Sequence, residues 1–286
     1  YRLGLMLKEG KTLKQDLESA VEYLKQSSNQ GYLDGIIAYA ICLKEGTGVQ
    51  TNKKEAYNLI QTAINKGSID ALIILASWYS NDFPRKYGIA LDLLNRAREN
   101  DHPDAPALIG SLFEKRKLNT VTSKEEIMQY YKESCFNGSY EGMYHMATFY
   151  HYGIGIDKNQ SEAARLYNLV AKNTNHYRNQ NQNPAIFSLT ILYEELGETE
   201  FAFKLADYYR DKDMFVGYLR CADLYERGVG VPKNEEKANE YLTIAKEKRF
   251  TKEQLKVALL YSRGKGVIKN KEKGFFWTKI AAENGS

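Results

Sequence analysis

The chain has 286 residues, of which 43% are hydrophobic and 27% charged, with 40 basic against 36 acidic side chains. This composition is typical of a folded protein and excludes extensive disorder, and a net charge of +4 is too small for the basic surface of a nucleic-acid-binding protein. The longest apolar runs, 35–43 and 71–79, are about half as long as a membrane-spanning helix requires.

Cysteine usage favours a reducing compartment. The three cysteines are odd in number and have no close pairs, which argues against a disulfide framework and predicts a cytoplasmic location. Three Asn-x-Ser sequons leave the lumen of the endoplasmic reticulum open as an alternative. The chain begins with Tyr rather than Met, and we expect it to be a fragment. The cysteines are Cys42, Cys135 and Cys221, and the sequons begin at Asn137, Asn159 and Asn284.

The first element predicted in each of about eight repeats is a helix, helix A, marked by a large residue with a small residue three positions before it. Small residues on one face let neighbouring helices approach closely, and the large residue fills the volume beside that contact. In chain order the pairs are Gly4/Leu7, Ala40/Leu43, Ala76/Tyr79, Gly110/Phe113, Ala147/Tyr150, Thr190/Tyr193, Ala222/Tyr225 and Ala258/Tyr261.

A turn of the form Gly-x-Gly-Val or Gly-x-Gly-Ile follows helix A in four repeats, beginning at Gly46, Gly153, Gly228 and Gly264. The first Gly is expected to end helix A with a positive φ, and the second to allow a tight reversal. The Val or Ile can then fold back as an apolar contact. The third and sixth repeats lack this turn.

The second predicted helix, helix B, has a small residue followed by a large one three positions later, and recurs every 34 to 38 residues. Eleven positions after the small residue, five of eight repeats have Gly or Asn, which tolerate the left-handed conformation that ends a helix. The pairs are Ala20/Tyr23, Ala56/Leu59, Ala90/Leu93, Ile127/Tyr130, Ala164/Tyr167, Ala202/Leu205, Ala238/Tyr241 and Gly274/Trp277. The stop positions are Gly31, Gly67, Asp101, Gly138, Asn175, Asp213, Arg249 and Gly285.

Together these residues resemble the Sel-1-like repeat, a relative of the tetratricopeptide repeat. The match is best over 217–249, and it covers essentially the whole chain with the third, fourth and sixth repeats degenerate. The residues that carry the best match are Ala222, Tyr225, Gly228, Gly230, Val231, Ala238, Tyr241 and Ala245.

The resemblance implies an all-α fold, a right-handed α/α superhelix or solenoid that forms one domain over 1–286. The repeats are predicted at about 1–31, 32–67, 68–102, 103–138, 139–175, 184–213, 214–249 and 250–286. A polar, Asn- and Gln-rich insert at 176–184 interrupts them and is predicted to be a loop or a frayed helix extension.

No catalytic constellation is apparent in the sequence. Each Gly-x-Gly lacks a third Gly and follows a helix, which excludes a nucleotide-binding loop. The pair His145 and His151 is six residues apart, about 120° around a helix, whereas metal-binding pairs favour a spacing of four. We therefore expect no cofactor, no metal, no small-molecule substrate and no enzymatic activity.

By analogy with tetratricopeptide superhelices, the A helices are expected to line a concave groove with an apolar floor and a mixed-charge rim, suited to a peptide or a partner helix. The alternative is that the apolar residues pack between adjacent A helices. Exposure of Ile73, Tyr144 and Phe187 distinguishes the two. The predicted partner-binding residues are Ile37, Ile41, Ile73, Ser77, Tyr144, Thr148, His151, Phe187, Ile191, Leu219, Asp223 and Leu255.

The resemblance implies an adaptor or scaffold that assembles a protein complex. We expect protein or peptide partners, with no nucleic acid and no direct membrane insertion. Two alternatives stay open at this point: an adaptor of the degradation machinery that recruits clients in the lumen of the endoplasmic reticulum, or a regulatory or targeting domain of a larger enzyme.

Overall fold

The protein is all-α. The computed structural model describes residues 1–10, 13–82, 84–114, 123–173, 182–247, 254–255, 258–259, 261–262 and 271–283. Within these ranges fifteen α-helices follow one another and no β-strand occurs. Helices adjacent in sequence pack against each other within 2–114 and within 124–247, as the predicted solenoid of helix pairs requires.

The helices form two compact units, Tyr1–Val121 and Thr122–Ser286. Predicted A and B helices alternate within each unit, and the single continuous solenoid remains a prediction. The first unit contains α1 (Arg2–Glu9), α2 (Leu17–Asn29), α3 (Leu33–Glu45), α4 (Lys53–Asn65), α5 (Ile69–Asn81), α6 (Tyr87–Glu99) and α7 (Ala105–Glu114). The second contains α8 (Lys124–Phe136), α9 (Tyr140–Tyr152), α10 (Gln160–Lys172), α11 (Gln182–Glu195), α12 (Thr199–Asp211), α13 (Phe215–Arg227), α14 (Glu235–Glu247) and α15 (Lys271–Glu283).

The eighth helix A falls where the structure describes only part of the chain. Residues 254–255, 258–259 and 261–262 are helical, at the position predicted for it. Helix α11 begins at Gln182, so the last three residues of the predicted insert are helical. The remainder of the insert and the turn that begins at Gly264 lie outside the described residues.

The predicted helix ends are confirmed wherever they are described. Helices α3, α9 and α13 each end at the first glycine of a Gly-x-Gly turn, which is left-handed. At the described stops of the B helices, three glycines and also Asp101 and Asp213 have positive φ. Sequence reasoning counted only Gly and Asn, but a short Asp side chain can also tolerate this conformation. The stops at Asn175, Arg249 and Gly285 lie outside the described residues.

Small residues of the A helices allow close contact with the B helix of the preceding repeat. A Cβ atom added to Gly217 in α13 would overlap the backbone nitrogen of Arg210 in α12. One added to Gly142 in α9 would lie 2.6 Å from the backbone nitrogen of Cys135 in α8. Only glycine fits at these two positions, so both of these junctions between repeats depend on a close approach of two backbones.

The second glycine of the turn makes another contact between repeats. Gly48 and Gly230 have φ values of 68° and 69°. A Cβ on Gly48 would overlap the carbonyl oxygen of Leu17, and one on Gly230 that of Thr199, at the start of the preceding B helix. The turn therefore fastens its own repeat to the one before it, in addition to reversing the chain. Val231 then packs against a core that includes Leu224 and Ala238, which is the predicted apolar contact.

Asparagine side chains begin the B helices that follow the turns. The side-chain oxygens of Asn52, Asn159 and Asn234 each accept a hydrogen bond from a backbone N–H three residues ahead, at 2.9 to 3.1 Å. Helix capping of this kind accounts for Asn159 without a glycan, since Asn52 and Asn234 cap in the same way outside any sequon.

Among the described residues, no helix combines the length and the apolar character needed to cross a membrane.

Candidate functional site

Three of the four predicted binding residues in the first unit are accessible to solvent, and the fourth is buried. Ile41 of α3 and Ile73 of α5 are half-buried, and Ser77 of α5 is exposed. Ile37 is only 9% exposed, because α3 packs against both α2 and α4. Its predicted role in binding is therefore corrected to a role in packing, whereas accessible apolar surface remains at Ile41 and Ile73.

Charged residues at or just after the C-terminal ends of the A helices join successive repeats in this unit. The Nζ of Lys44 lies 2.9 Å from Oδ1 of Asp82 and 5.0 Å from the centre of the Trp78 ring. The hydroxyl of Tyr57 donates to Oδ2 of Asp82 at 3.0 Å. Burial alone would raise the pKa of Asp82, but the hydrogen bonds from Lys44 and Tyr57 lower it. Part of the predicted charged rim is thus used to connect α3, α4 and the end of α5.

In the second unit, four of the predicted residues keep accessible surface. Tyr144 and Thr148 of α9 and Ile191 of α11 are half-buried, and Leu255 is 37% exposed. The hydroxyl of Thr148 donates to the carbonyl oxygen of Tyr144 at 3.0 Å and accepts from the hydroxyl of Tyr167 at 3.2 Å. Both α9 and α11 therefore retain a surface of mixed apolar and polar character.

Three of the predicted residues lie in the core and cannot contact a partner at the surface. Phe187 and His151 are fully buried, and Leu219 is 3% exposed. The reason is packing between successive A helices: α11 contacts α13, and the guanidinium of Arg220 lies 5.2 Å from the centre of the Phe187 ring. Of the three residues chosen to test the groove, Phe187 is buried, whereas Ile73 and Tyr144 are not.

A buried arginine, Arg220 of α13, holds a network of charged and polar side chains. It is 1% exposed. Its Nε donates to the hydroxyl of Thr190 at 2.8 Å, one terminal nitrogen donates to Asp223 at 2.7 Å, and the other donates to Glu194. Arg227, about two helical turns further along α13, donates to both Glu194 and Asp223 at 2.7 Å. The network links the last turns of α11 and α13.

Asp223, one of the predicted binding residues, is fully engaged in this network. Its side chain is 14% exposed and contacts Arg220, Arg227 and, at 3.6 Å, Lys273 of α15. Burial alone would raise the pKa of Asp223, but the charges of Arg220 and Arg227 lower it. The carboxylate is therefore an internal counter-ion for two arginines.

Sequence reasoning missed Arg220, because the repeat pattern carries no clear signal for it. Five positions before the large residue of helix A, the eight repeats have Arg2, Ala38, Ile74, Leu108, His145, Ser188, Arg220 and Lys256. Arg2 is exposed at this position, whereas Arg220 is buried. The burial of Arg220 is therefore set by its neighbours in α11 and α13 rather than by its place in the repeat.

His151 makes a second polar link between successive A helices. Its Nε2 lies 3.0 Å from a carboxylate oxygen of Glu195, the last residue of α11. The Nδ1 atom is buried and has no hydrogen-bond partner. The ring stacks on Tyr152 at 4.2 Å and meets Tyr167 of α10 edge-on. The side chain is part of the junction between α9, α10 and α11.

The two histidines of α9 do not converge. His145 stacks on the ring of Tyr131 at 4.2 Å, with its Nε2 at 3.3 Å from Glu141, whereas His151 faces Glu195. No group of three or more His, Cys, Asp or Glu side chains suited to hold a metal ion occurs in the described part of the chain.

Comparison with known proteins identifies the repeat. The Sel1 repeat family model matches residues 1–32, 34–68, 141–175, 216–249 and 254–286, which together are more than half of the chain. The chain belongs to the Sel1 repeat family. Proteins of this family are commonly protein-interaction scaffolds and are generally not enzymes.

Two solved structures are similar to this chain, and the first of them shares its fold. A Sel1 repeat protein from Oxalobacter formigenes is 20% identical with a TM-score of 0.52, over 100% of this chain and 83% of that one. A protective antigen of uropathogenic Escherichia coli with an SLR fold is 19% identical with a TM-score of 0.44, over 99% of this chain and 78% of that one. No curated protein sequence matches the chain significantly.

The five Sel1 matches correspond to the first, second, fifth, seventh and eighth predicted repeats, and the unmatched ones are those predicted to be degenerate. Helix α11, which carries Thr190, Glu194 and Glu195, lies in the unmatched sixth repeat. Its polar partners His151 and Arg220 lie in the matched Sel1 repeats on either side. Side-chain contacts therefore secure the sixth repeat where the repeat pattern is weakest.

The cysteines of this Sel1 repeat protein are free thiols. Cys42 and Cys221 are fully buried and Cys135 is partly buried. Burial raises the pKa of each thiol, and it raises the pKa of Cys221 to about 12. Since the thiolate is the reactive form, these side chains are suited to packing and poorly suited to nucleophilic chemistry.

Proposed function

We propose that the protein is a non-enzymatic adaptor or scaffold that binds a protein or peptide partner through the accessible faces of its A helices. The observation that carries the proposal is the partial exposure of Ile41, Ile73, Tyr144 and Ile191 after helix packing is complete. These four side chains occupy two recurring positions, six and two residues before the large residue of helix A. Ile41 and Ile73 lie in the first unit and Tyr144 and Ile191 in the second, and recurrence of this kind within a unit is typical of a surface that contacts an extended partner.

The chemistry of these positions favours a peptide or an amphipathic helix. Apolar side chains of the A helices can receive the apolar face of a partner, and the exposed hydroxyl of Ser77 in α5 can meet a polar group beside it. Neither position carries a full charge in these helices. We therefore expect binding that depends on apolar contact more than on ionic strength.

Pull-down with mass spectrometry tests the proposal if the variants separate binding from folding. Ser77→Arg in α5 places a large charge on an exposed A-helix position, and Thr62→Arg places it on an exposed position of the neighbouring B helix α4. Both substitutions should leave the helical circular dichroism of the protein unchanged, because neither side chain is in the core. Ser77→Arg should weaken capture of a direct partner at least tenfold, which is about 1.4 kcal/mol.

Tyr144→Ala in α9 extends the test to the second unit. A partner that binds the A-helix faces is lost with Ser77→Arg or Tyr144→Ala and is retained with Thr62→Arg. If every captured protein is retained by both A-helix variants, or is lost equally with Thr62→Arg, the A-helix surface is not the binding site.

A further inference from the structure

We propose that His151 and Glu195 form an acid-sensitive contact that holds the sixth repeat to the fifth and loosens when the second ring nitrogen of His151 is protonated. The contact joins the last turn of α9 to the last residue of α11 through the 3.0 Å distance between Nε2 and the carboxylate. The contact connects the fifth repeat, which matches the Sel1 family model, to the sixth repeat, which does not.

The geometry fixes where the protons of His151 are. A carboxylate is an acceptor, so Nε2 carries the proton of the neutral ring and donates it to Glu195. Nδ1 then holds a lone pair, and it is buried without a partner. A second proton can only go to Nδ1, where it creates an N–H group that has no acceptor inside the protein. An unpaired buried donor is costly, so the folded junction resists protonation.

The groups around the ring of His151 determine whether its pKa is raised or lowered. The titratable side chains that face it are Glu195 from α11, Tyr167 from α10, Lys158 from the turn between α9 and α10, and the adjacent Tyr152. Burial lowers the pKa of His151, the hydrogen bond and charge of Glu195 oppose that effect, and Lys158 adds to the lowering. The Glu195 side chain is 40% exposed, so water screens its attraction for an imidazolium, whereas the ring itself is fully buried.

The direction of the pH dependence follows from this balance. The folded protein binds the proton of His151 more weakly than the unfolded chain does. The stability contributed by the neutral ring is therefore complete above the ordinary histidine pKa of about 6.5 and is lost as the pH falls below it. Acid should loosen the end of α11 from α9 before the rest of the second unit opens, because the other contacts of α11, its packing against α10 and α12 and its hydrogen bonds with Arg220, do not involve His151.

Hydrogen exchange of the α11 amides in the intact protein, measured by mass spectrometry and corrected for intrinsic rates, tests the contact. Between about pH 7.5 and about pH 5, one histidine with a pKa of about 6.5 in the opened state can change the opening equilibrium by at most about 30-fold. We expect protection of α11 to fall by about three- to thirty-fold in the wild type.

Two matched variants identify the histidine responsible. His151→Gln keeps a donor toward Glu195 and cannot titrate, so its α11 protection should not depend on pH. His145→Gln removes the other histidine of the same helix and should leave the wild-type response in place. A response that persists in His151→Gln, or that is absent in the wild type, overturns the proposal.

A titration of the wild-type protein keeps the test decisive if His151→Gln does not fold. The chain has four histidines, whose ring resonances can be followed separately by nuclear magnetic resonance. His151 should titrate below about pH 6.5. If it titrates at or above that value, Glu195 outweighs burial, acid strengthens the contact, and the proposal is wrong. Neither measurement involves a partner, so the outcome is independent of the proposed function.

Discussion

Replacing the buried arginine of α13 should destabilise the second unit far more than replacing the exposed arginine of the same helix. Arg220→Met keeps a side chain of comparable length over the ring of Phe187 but removes the charge that faces Glu194 and Asp223. Removing one partner of a buried ion pair costs about 3–5 kcal/mol. Arg227 still neutralises the two carboxylates, so we expect the lower end, about 3 kcal/mol.

Arg227→Met is the matched control. Arg227 donates to the same two carboxylates, but its side chain is 41% exposed, against 1% for Arg220. Exposed ion pairs contribute at most about 1 kcal/mol. The two variants therefore remove the same charge from the same helix and differ mainly in burial. A double variant should cost more than the sum of the two, because both carboxylates then lose their arginine partners.

Urea denaturation followed by tryptophan fluorescence measures the difference. Trp277 lies in the second unit and Trp78 in the first, so a Trp78→Phe background makes the signal specific for the unit that contains Arg220. With an m value of about 2 kcal/mol per molar, a loss of 3 kcal/mol lowers the urea midpoint by about 1.5 M. Equal midpoints for Arg220→Met and Arg227→Met would refute the argument from burial.

Three further outcomes are expected. The pKa of Asp223 is lowered in the folded protein, so its stabilising effect is present above the pKa of the unfolded chain and is lost as the pH falls through the folded pKa. The urea midpoint of the second unit should therefore fall below about pH 4, and it should fall less steeply in Arg220→Met. Gly217→Ala should destabilise the protein by about 1–3 kcal/mol, because the added Cβ overlaps the preceding helix. Gly88→Ala, which has open space around it, should stabilise the protein by about 0.5–1 kcal/mol. Thermal melts of the two variants measure these opposite shifts. A thiol reagent should modify Cys135 before Cys221 in the native protein, with both equally reactive in urea.

The sequence predicts the helices and their ends because each depends on a few neighbouring residues. A glycine that ends helix A, such as Gly46, acts through its own φ, and an asparagine that begins helix B, such as Asn52, acts three residues ahead. Such signals recur every 36 residues or so, and each repeat adds an independent observation of the same pattern. Asp101 and Asp213 stand at predicted stop positions, but Asp is not counted among the residue types expected there because it adopts the left-handed conformation less often than Gly.

Burial of the candidate site could not be predicted in the same way, because it depends on side chains that do not recur. Phe187 and Ile73 occupy the same position of helix A, and the pattern treats them alike. Phe187 is nevertheless buried, since it packs in a core with Phe215 and Leu219 and the guanidinium of Arg220 lies over its ring. The exposure of one repeat is set by the individual side chains of the next.

The sixth repeat shows how such side chains can replace the repeat pattern. Where a Gly-x-Gly turn is present, a glycine such as Gly48 or Gly230 sits against the preceding B helix, and that contact is steric and insensitive to pH or salt. The sixth repeat lacks the turn. Besides packing against α10 and α12, its helix α11 is linked by Glu195 to His151 on one side and by Thr190 and Glu194 to Arg220 on the other. Part of its attachment therefore depends on protonation and on charge pairing, both of which respond to conditions. If the A-helix faces bind a partner, the part of that surface on α11 is the part that the environment of the protein can adjust.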